Sequence, residues 1–145
     1  MNAREHVHLR EAHEADWPAL ADVYGRAYRQ AFGEDTLPED VLGHLIPQIV
    51  EETLWLAELE GRVVGFISLY RPTHFIRHFY VDPEFQGRGV GARLFDHITG
   101  LTGADFSLKC SPTNVRARRY YEARGMNPVE RGTSEGQEWI LYKSS

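Results

Sequence analysis

The spacing of apolar positions changes along the chain, and each change marks an element. Residues 6–10 read as a short first strand. Asp16 is placed as a helix N-cap, with Pro18 in the first turn. Trp17, Leu20, Tyr24, Ala27, Tyr28 and Ala31 then recur at helical spacing until Gly33. Thr36-Leu37-Pro38-Glu39 has the form of a capping box, and Val41, Leu42, Leu45, Ile46 and Ile49 continue with helical period. Pro47 falls inside that pattern and is expected to kink or split the second helix. Residues 36–52 are therefore expected to be irregular, a place for a mobile flap or a substrate-contacting edge.

The pattern then switches to strands. Residues 54–60 and 62–71 are joined at Glu60-Gly61, a hairpin signal. The run VVGFISLY is apolar on both faces, which predicts a central strand. Residues 74–81 form the third strand. Beyond a glycine-rich loop, Val90, Leu94, Phe95, Ile98 and Leu101 mark one helix face. Phe106, Leu108 and Cys110 alternate as a strand. Thr113 or Asn114 caps another helix, which Gly125 stops. Residues 126–131 and 137–143 close with a hairpin. The order β-α-α-β-β-β-α-β-α-β-β predicts a mixed sheet flanked by helices, an α/β (α+β) class, in one domain spanning 1–145.

Composition narrows the function classes. The chain is 42% hydrophobic and 26% charged, an ordinary globular balance that gives no expectation of disorder. A formal charge of −5 argues against nucleic acid as the main partner. No apolar run approaches the roughly 20 residues that span a bilayer. The start, MNAREHVHLREAHEADW, lacks the apolar core of a signal peptide. With one cysteine, Cys110, no intrachain disulfide forms. These features lead to the expectation of a cytoplasmic protein with no membrane partner. No metal is expected either. Among the histidines only His6 and His8 share strand spacing, and no cysteine or acidic cluster stands with them.

The candidate chemistry lies in YVDPEFQGRGVGARLFDHI, where an apolar strand runs through glycines into a helix. A helix N-terminus carries unpaired N–H groups and about half a positive charge, and it binds phosphate readily. Gly87, Gly89 and Gly91 let the backbone approach phosphate oxygens, and Arg88 adds a cation. The reading is a pyrophosphate cradle; a plain glycine-rich turn is the alternative. A dinucleotide fingerprint fits Gly87-x-Gly89-x-x-Ala92, but the next strand ends in Lys109-Cys110 without the required acid. A Walker loop fails because no Gly-Lys-Ser/Thr follows.

Gln86-Gly-Arg-Gly89-Val-Gly91 resembles the Q-x-x-G-x-G motif of the GNAT (GCN5-related) N-acetyltransferases. Phe79-Tyr80-Val81-Asp82-Pro83 looks like the end of their fourth strand. The stretch from Asn114 through Ala117, Tyr120 and Tyr121 to Gly125-Met126 is similar to the family's N-x-x-A-x-x-F-Y-x-x-x-G-F. The resemblance covers essentially the whole chain, strongest over 75–126 and thinnest over 30–55. It implies a GNAT-like fold and acetyl-CoA as the acyl donor, with no metal. The donor's pyrophosphate would sit on the backbone of Gly87, Arg88, Gly89, Val90, Gly91 and Ala92. Its pantetheine arm would pair like an added strand with Phe79, Tyr80 and Val81. In the family a bulge splays this strand from the next, and the broken alternation of Ile76, Phe79 and Val81 fits a bulge near 77–78.

The resemblance also assigns roles. Asn114 matches the position that contacts the cofactor arm; a simple helix N-cap is the alternative. Tyr121 matches the general acid that protonates the leaving thiolate, against the reading of a core aromatic. A backbone N–H near Val81 would receive the oxyanion. Cys110, at the end of an apolar strand, is a poor nucleophile candidate. The general base departs from the family. The positions where relatives carry glutamate hold Phe75 and Lys109 here. His78, and second His74, are the candidate bases, with deprotonation through water left open. The acceptor would be a primary amine on a small molecule or peptide, and family habit suggests a homodimer. Two other functions compete: an acyl-CoA-binding regulatory module without turnover, and a toxin-type acetyltransferase acting on aminoacyl-tRNA. Arg116, Arg118, Arg119, Arg124 and Arg131 keep the second alive. Glu34, Asp35, Glu39 and Asp40 fit either a cationic acceptor or a helix start.

Overall fold

The computed structural model describes residues 7–34 and 37–144. Its elements are β1 (His8–Glu11), α1 (Trp17–Phe32), α2 (Val41–Ile49), β2 (Thr53–Leu59), β3 (Arg62–Tyr70), β4 (Phe75–Val81), α3 (Val90–Thr102), β5 (Ser107–Cys110), α4 (Val115–Ala123), β6 (Met126–Ser134) and β7 (Gln137–Ser144). This is the expected order. The strands form one seven-stranded sheet in the order β1-β2-β3-β4-β5-β7-β6. All neighbours run antiparallel except β4 and β5, which are parallel.

Two layers of core lie on opposite faces of the sheet. On one face Leu20, Val23 and Tyr24 of α1 and Leu45 and Ile49 of α2 pack on Leu54, Leu56 and Phe66. On the other, Val90, Leu94, Phe95 and Ile98 of α3 pack with Tyr121 on Val64, Ile67, Leu69 and Ile76. β3 is interior, as its two-sided apolar run predicts; Val64, Phe66, Ile67 and Ser68 are fully buried. The turn before it, Glu60 (φ 54°) and Gly61 (φ 78°), is left-handed at both residues, the conformation of a tight hairpin. No helix among the described residues is long and apolar enough to cross a membrane.

Four local expectations are corrected. Asp16 does not cap α1. Its own backbone is already helical, and its carboxylate accepts from Arg10 at 2.7 and 2.8 Å and from the His13 N–H at 3.0 Å. Pro47 does not split α2, which runs unbroken over Val41–Ile49. Pro47 stands near the end of the helix, where its missing N–H removes one bond, and buried Leu45 and Ile49 fix the segment on either side. The N-cap of α2 is Asp40, whose carboxylate accepts the Gly43 N–H at 2.9 Å. The proposed capping box includes Thr36, which lies outside the described residues, as does His6. Finally, Leu101 is exposed and Thr102 takes its place in the core, because i+4 from Ile98 faces the sheet more closely than i+3 at the last turn.

Candidate active site

The site begins where β4 and β5 part. They share only the rungs Phe75↔Ser107 and Ile76↔Leu108. Beyond these, β4 stays paired with β3 through Gly65↔Val81 but has no strand on its other side among the described residues. The cause is a bulge. Ser68 pairs with His78 and Leu69 with Ile76, so Arg77 is the extra residue, as the broken alternation suggested. A groove of about 980 Å³ fills the gap.

The loop at one end of this groove is held rigidly. The Asp82 carboxylate is fully buried and accepts from Arg26 at 2.6 Å, Arg62 at 3.3 Å and the Glu84 N–H at 3.1 Å. It thereby ties α1 and β3 to the start of the loop. Gln86 donates through Nε2 to the Val81 carbonyl at 3.2 Å and to Gln30 Oε1 at 2.9 Å. Gly87 (φ 80°) and Gly89 (φ 84°) take left-handed conformations that glycine adopts without strain. Gly89 is the N-cap of α3 and brings no side chain to its N–H groups. Those groups are left for a ligand. A Cβ on Gly91 would stand 3.4 Å from Phe79 Cζ and 3.5 Å from Val81 Cγ2, so the helix start lies directly against β4.

Gly87, Gly89, Gly91 and Ala92 line the groove, as do Phe79, Tyr80, Val81, Asn114 and Tyr121. The side chains of Arg88 and Val90, whose backbone the resemblance assigns to the cradle, turn elsewhere. Arg88 stacks over the Phe85 ring at 5.2 Å, and the Val90 side chain is buried in the core. Asn114 caps α4, its Oδ1 accepting the Ala117 N–H at 3.2 Å, and also faces the groove, so the two readings of this residue coexist. The arginine run disperses. Arg116 and Arg119 line the groove, Arg118 donates to the Tyr142 hydroxyl and the Pro112 carbonyl, and Arg124 pairs with Asp96 at 2.9 Å.

The Tyr121 ring packs against Phe79, Phe95 and Tyr142. Burial raises its phenol well above the ordinary value, so the hydroxyl keeps its proton and can act only as an acid. Burial likewise pushes the Cys110 thiol up to about 11, which leaves no thiolate for attack.

His78 is on the other face of β4. Its ring is 5% exposed and does not line the groove. Nδ1 lies 3.2 Å from Glu52 Oε1 and 3.2 Å from Ser68 Oγ; Nε2 lies 3.3 Å from Gln48 Oε1. His74 turns into a left-handed residue before β4, where its Nδ1 meets the Asp105 carbonyl at 2.8 Å, also away from the groove. Sequence reasoning missed Glu52. Its side chain is fully buried between His78 and Arg77, whose Nε stands 3.2 Å from Oε2. In the sequence it follows Glu51 in a turn, where no periodicity marks a carboxylate as buried.

The family model described as "Acetyltransferase (GNAT) family" matches residues 17–126. An uncharacterized N-acetyltransferase of Archaeoglobus fulgidus is 27% identical over 88% of this chain and 98% of its own length. A GCN5-related N-acetyltransferase structure from Rhodopseudomonas palustris superposes with a TM-score of 0.78 at 24% identity, covering 95% of this chain and 94% of that one. The PaiA N-acetyltransferase of Thermoplasma acidophilum, solved in complex with coenzyme A, superposes with a TM-score of 0.73 at 16% identity, over 96% and 99% of the two chains. Strand split, glycine loop and family match agree, and the chain belongs to the GNAT acetyltransferase family, as an acyltransferase.

Proposed function

We propose that this protein transfers the acetyl group of acetyl-CoA to the primary amine of a small molecule or peptide, directly and without a covalent enzyme intermediate. The observation that carries this reading is the gap between β4 and β5, which ends at an uncapped helix N-terminus built of glycines. The residues fit the donor. Gly87, Gly89, Gly91 and Ala92 would hold its diphosphate, with Arg116 and Arg119 on the facing helix. The His78 N–H points to β3, where it meets Ser68 Oγ at 2.9 Å. Strand alternation therefore turns the backbone of Phe79 and Val81 towards the gap. These groups would pair with the pantetheine amides and offer an N–H to the oxygen on which charge develops. The thioester supplies an activated acetyl group.

Tyr121 holds a proton at its hydroxyl and would deliver it to the sulfur as the C–S bond breaks, and the proton shed by the acylated nitrogen would restore the phenol, directly or through water. His78 is not the base in this reading. Its nitrogens face Glu52, Ser68 and Gln48, and it serves to hold Glu52 beside the bulge. No carboxylate or imidazole lines the groove among the described residues. The amine is therefore received neutral, its proton already lost to water.

Calorimetric titration with acetyl-CoA tests the donor site, comparing wild type with Gly89→Glu and Gly89→Asn. Asparagine tolerates the left-handed conformation and brings no charge. Binding by wild type and Gly89→Asn, lost in a folded Gly89→Glu, supports the cradle. A wild type that does not bind ends the proposal.

A further inference from the structure

The wall of the groove is basic in an acidic chain. Arg77, Lys109, Arg116 and Arg119 line it, and no carboxylate does so among the described residues, although the formal charge of the chain is −5. Arg116 and Arg119, on α4, serve the donor's phosphates in the reading above. Arg77 and Lys109 stand elsewhere. They are the first residues beyond the last shared rung, Ile76↔Leu108, one on each strand at the vertex of the gap. Arg77 is four residues along β4 from Val81, which borders the cradle. At about 3.3 Å per residue that is roughly 13 Å, too far to reach the same phosphates.

Both cations are held in position. The bulge lets Arg77 share a face with His78, and Arg77 Nε meets the buried Glu52 at 3.2 Å while its side chain remains 45% exposed. Its terminal nitrogens have no partner among the described residues. An arginine anchored through Nε and free at its fork is suited to a bidentate carboxylate. Lys109 places its ammonium 4.1 Å from the centroid of the Trp139 ring. Trp139 is itself fixed. It lies over Gly132, where any Cβ would collide with the indole, and its N–H donates to Ser134 Oγ at 3.0 Å. Lys109 has no ion pair among the described residues.

We infer that the acceptor is a small amine that also carries a carboxylate, as an amino acid does, and that Arg77 and Lys109 bind this carboxylate at the vertex while its amine faces the thioester. This rests on the acetyl-transfer reading and adds the substrate class to it. It also bears on the earlier expectation, since Glu34, Glu39 and Asp40 do not line the groove, Asp35 lies outside the described residues, and a purely cationic acceptor would meet two cations there.

The test is thiol release from acetyl-CoA with matched acceptors: L-amino acids, their carboxamides, and the corresponding decarboxylated amines. The expected result is a kcat/KM at least about tenfold higher for the carboxylates, the scale of a hydrogen bond to a charged group. Arg77→Gln and Lys109→Gln should each raise KM for the carboxylates by a similar factor and leave the carboxamides little changed. Lys109 is an exposed strand residue, so its variant reports even where Arg77→Gln fails to fold. Equal or faster turnover of the decarboxylated amines overturns the inference while leaving acetyl transfer intact. Loss of acetyl-CoA affinity in either variant, read by calorimetry, also overturns it, because it assigns that cation to the donor. A protein that binds no acetyl-CoA fails at the earlier reading instead.

Discussion

Gly65 is a small residue at a crowded place, and enlarging it tests how the sheet carries the cradle. It lies on β3 opposite Val81, under the start of α3. A Cβ there would stand 3.1 Å from the Tyr80 carbonyl oxygen, 3.1 Å from Val90 Cγ1 and 3.2 Å from Leu94 Cδ1. The last two are side-chain tips on α3 and can yield by a few tenths of an ångström. The first is backbone of β4 and cannot move without disturbing the strand. Overpacking of this kind costs about 1–3 kcal/mol. Alanine also lowers the entropy of the unfolded chain, which returns about 0.4–1 kcal/mol. The net expectation for Gly65→Ala is about 1–2 kcal/mol of destabilisation. For a chain of this length that is a fall in Tm of roughly 2–8 °C. The relief of the clash pushes α3 away from β4, so acetyl-CoA affinity should fall as well. Urea unfolding followed by circular dichroism gives the first quantity and calorimetric titration the second. A Gly65→Ala protein at least as stable as wild type, with the same donor affinity, would refute the argument that this contact sets the height of the cradle.

Four further outcomes follow from the same geometry. Tyr121→Phe keeps the packing and removes the acid, so kcat should drop by about 10²-fold or more with the acetyl-CoA Kd unchanged; an unaltered kcat would remove Tyr121 from the chemistry. If the amine is received neutral, as proposed, kcat/KM should rise with pH along the titration of the acceptor amine, since no carboxylate or imidazole lines the groove among the described residues. Because burial raises the Tyr121 phenol, the plateau should continue past the ordinary phenol value of about 10. A limb that stays at one pH for acceptors of different basicity would instead return the base to a side chain. Arg10 holds the Asp16 carboxyl at about 2, below its ordinary 3.8. A lowered folded value contributes stability that is complete above about pH 4 and is lost as pH falls towards 2. Urea midpoints should therefore decline over that window in wild type and more shallowly in Asp16→Asn. Asp82→Ala removes the buried acceptor of Arg26, Arg62 and the Glu84 N–H; both guanidinium groups stay partly in solvent, so the cost should be about 1–3 kcal/mol, read by the same urea titration.

What the sequence could say depended on whether the signal was periodic. The element order, the interior position of β3 and the cap at Asn114 follow from spacing and turn chemistry alone. So does the bulge, because an extra residue breaks alternation within the strand that carries it. Pro47 misled because its cost depends on how near the helix end it falls and what anchors either side. Asp16 misled because a partner six residues earlier in sequence, Arg10, takes its carboxylate. Glu52 was invisible for a related reason: its burial is created by β4, and no local pattern records a contact 26 residues away. The turn from strand to helix at Gly87 and Gly89 was legible, and both glycines are left-handed; its use as a diphosphate cradle is the proposal above. The direction of the Arg88 side chain, which stacks over Phe85, was not legible, since a loop has no period from which to read direction.

The two-rung junction between β4 and β5 has a mechanical meaning. The sheet is in effect two plates, β1 to β4 and β5 to β6, fastened edge to edge at Phe75↔Ser107 and Ile76↔Leu108. Beneath the seam lies a mat of rings in which Phe79 meets Phe95 and Tyr120, and Phe95 meets Phe106. A molecule that lies in the seam and bonds to its exposed edge acts as a rivet as well as a reactant. At a hundredfold excess over Kd such a ligand adds about 2.7 kcal/mol to the folded state. The amides of β5 and of the free edge of β4 should then be the ones whose hydrogen exchange slows most when the plates are joined.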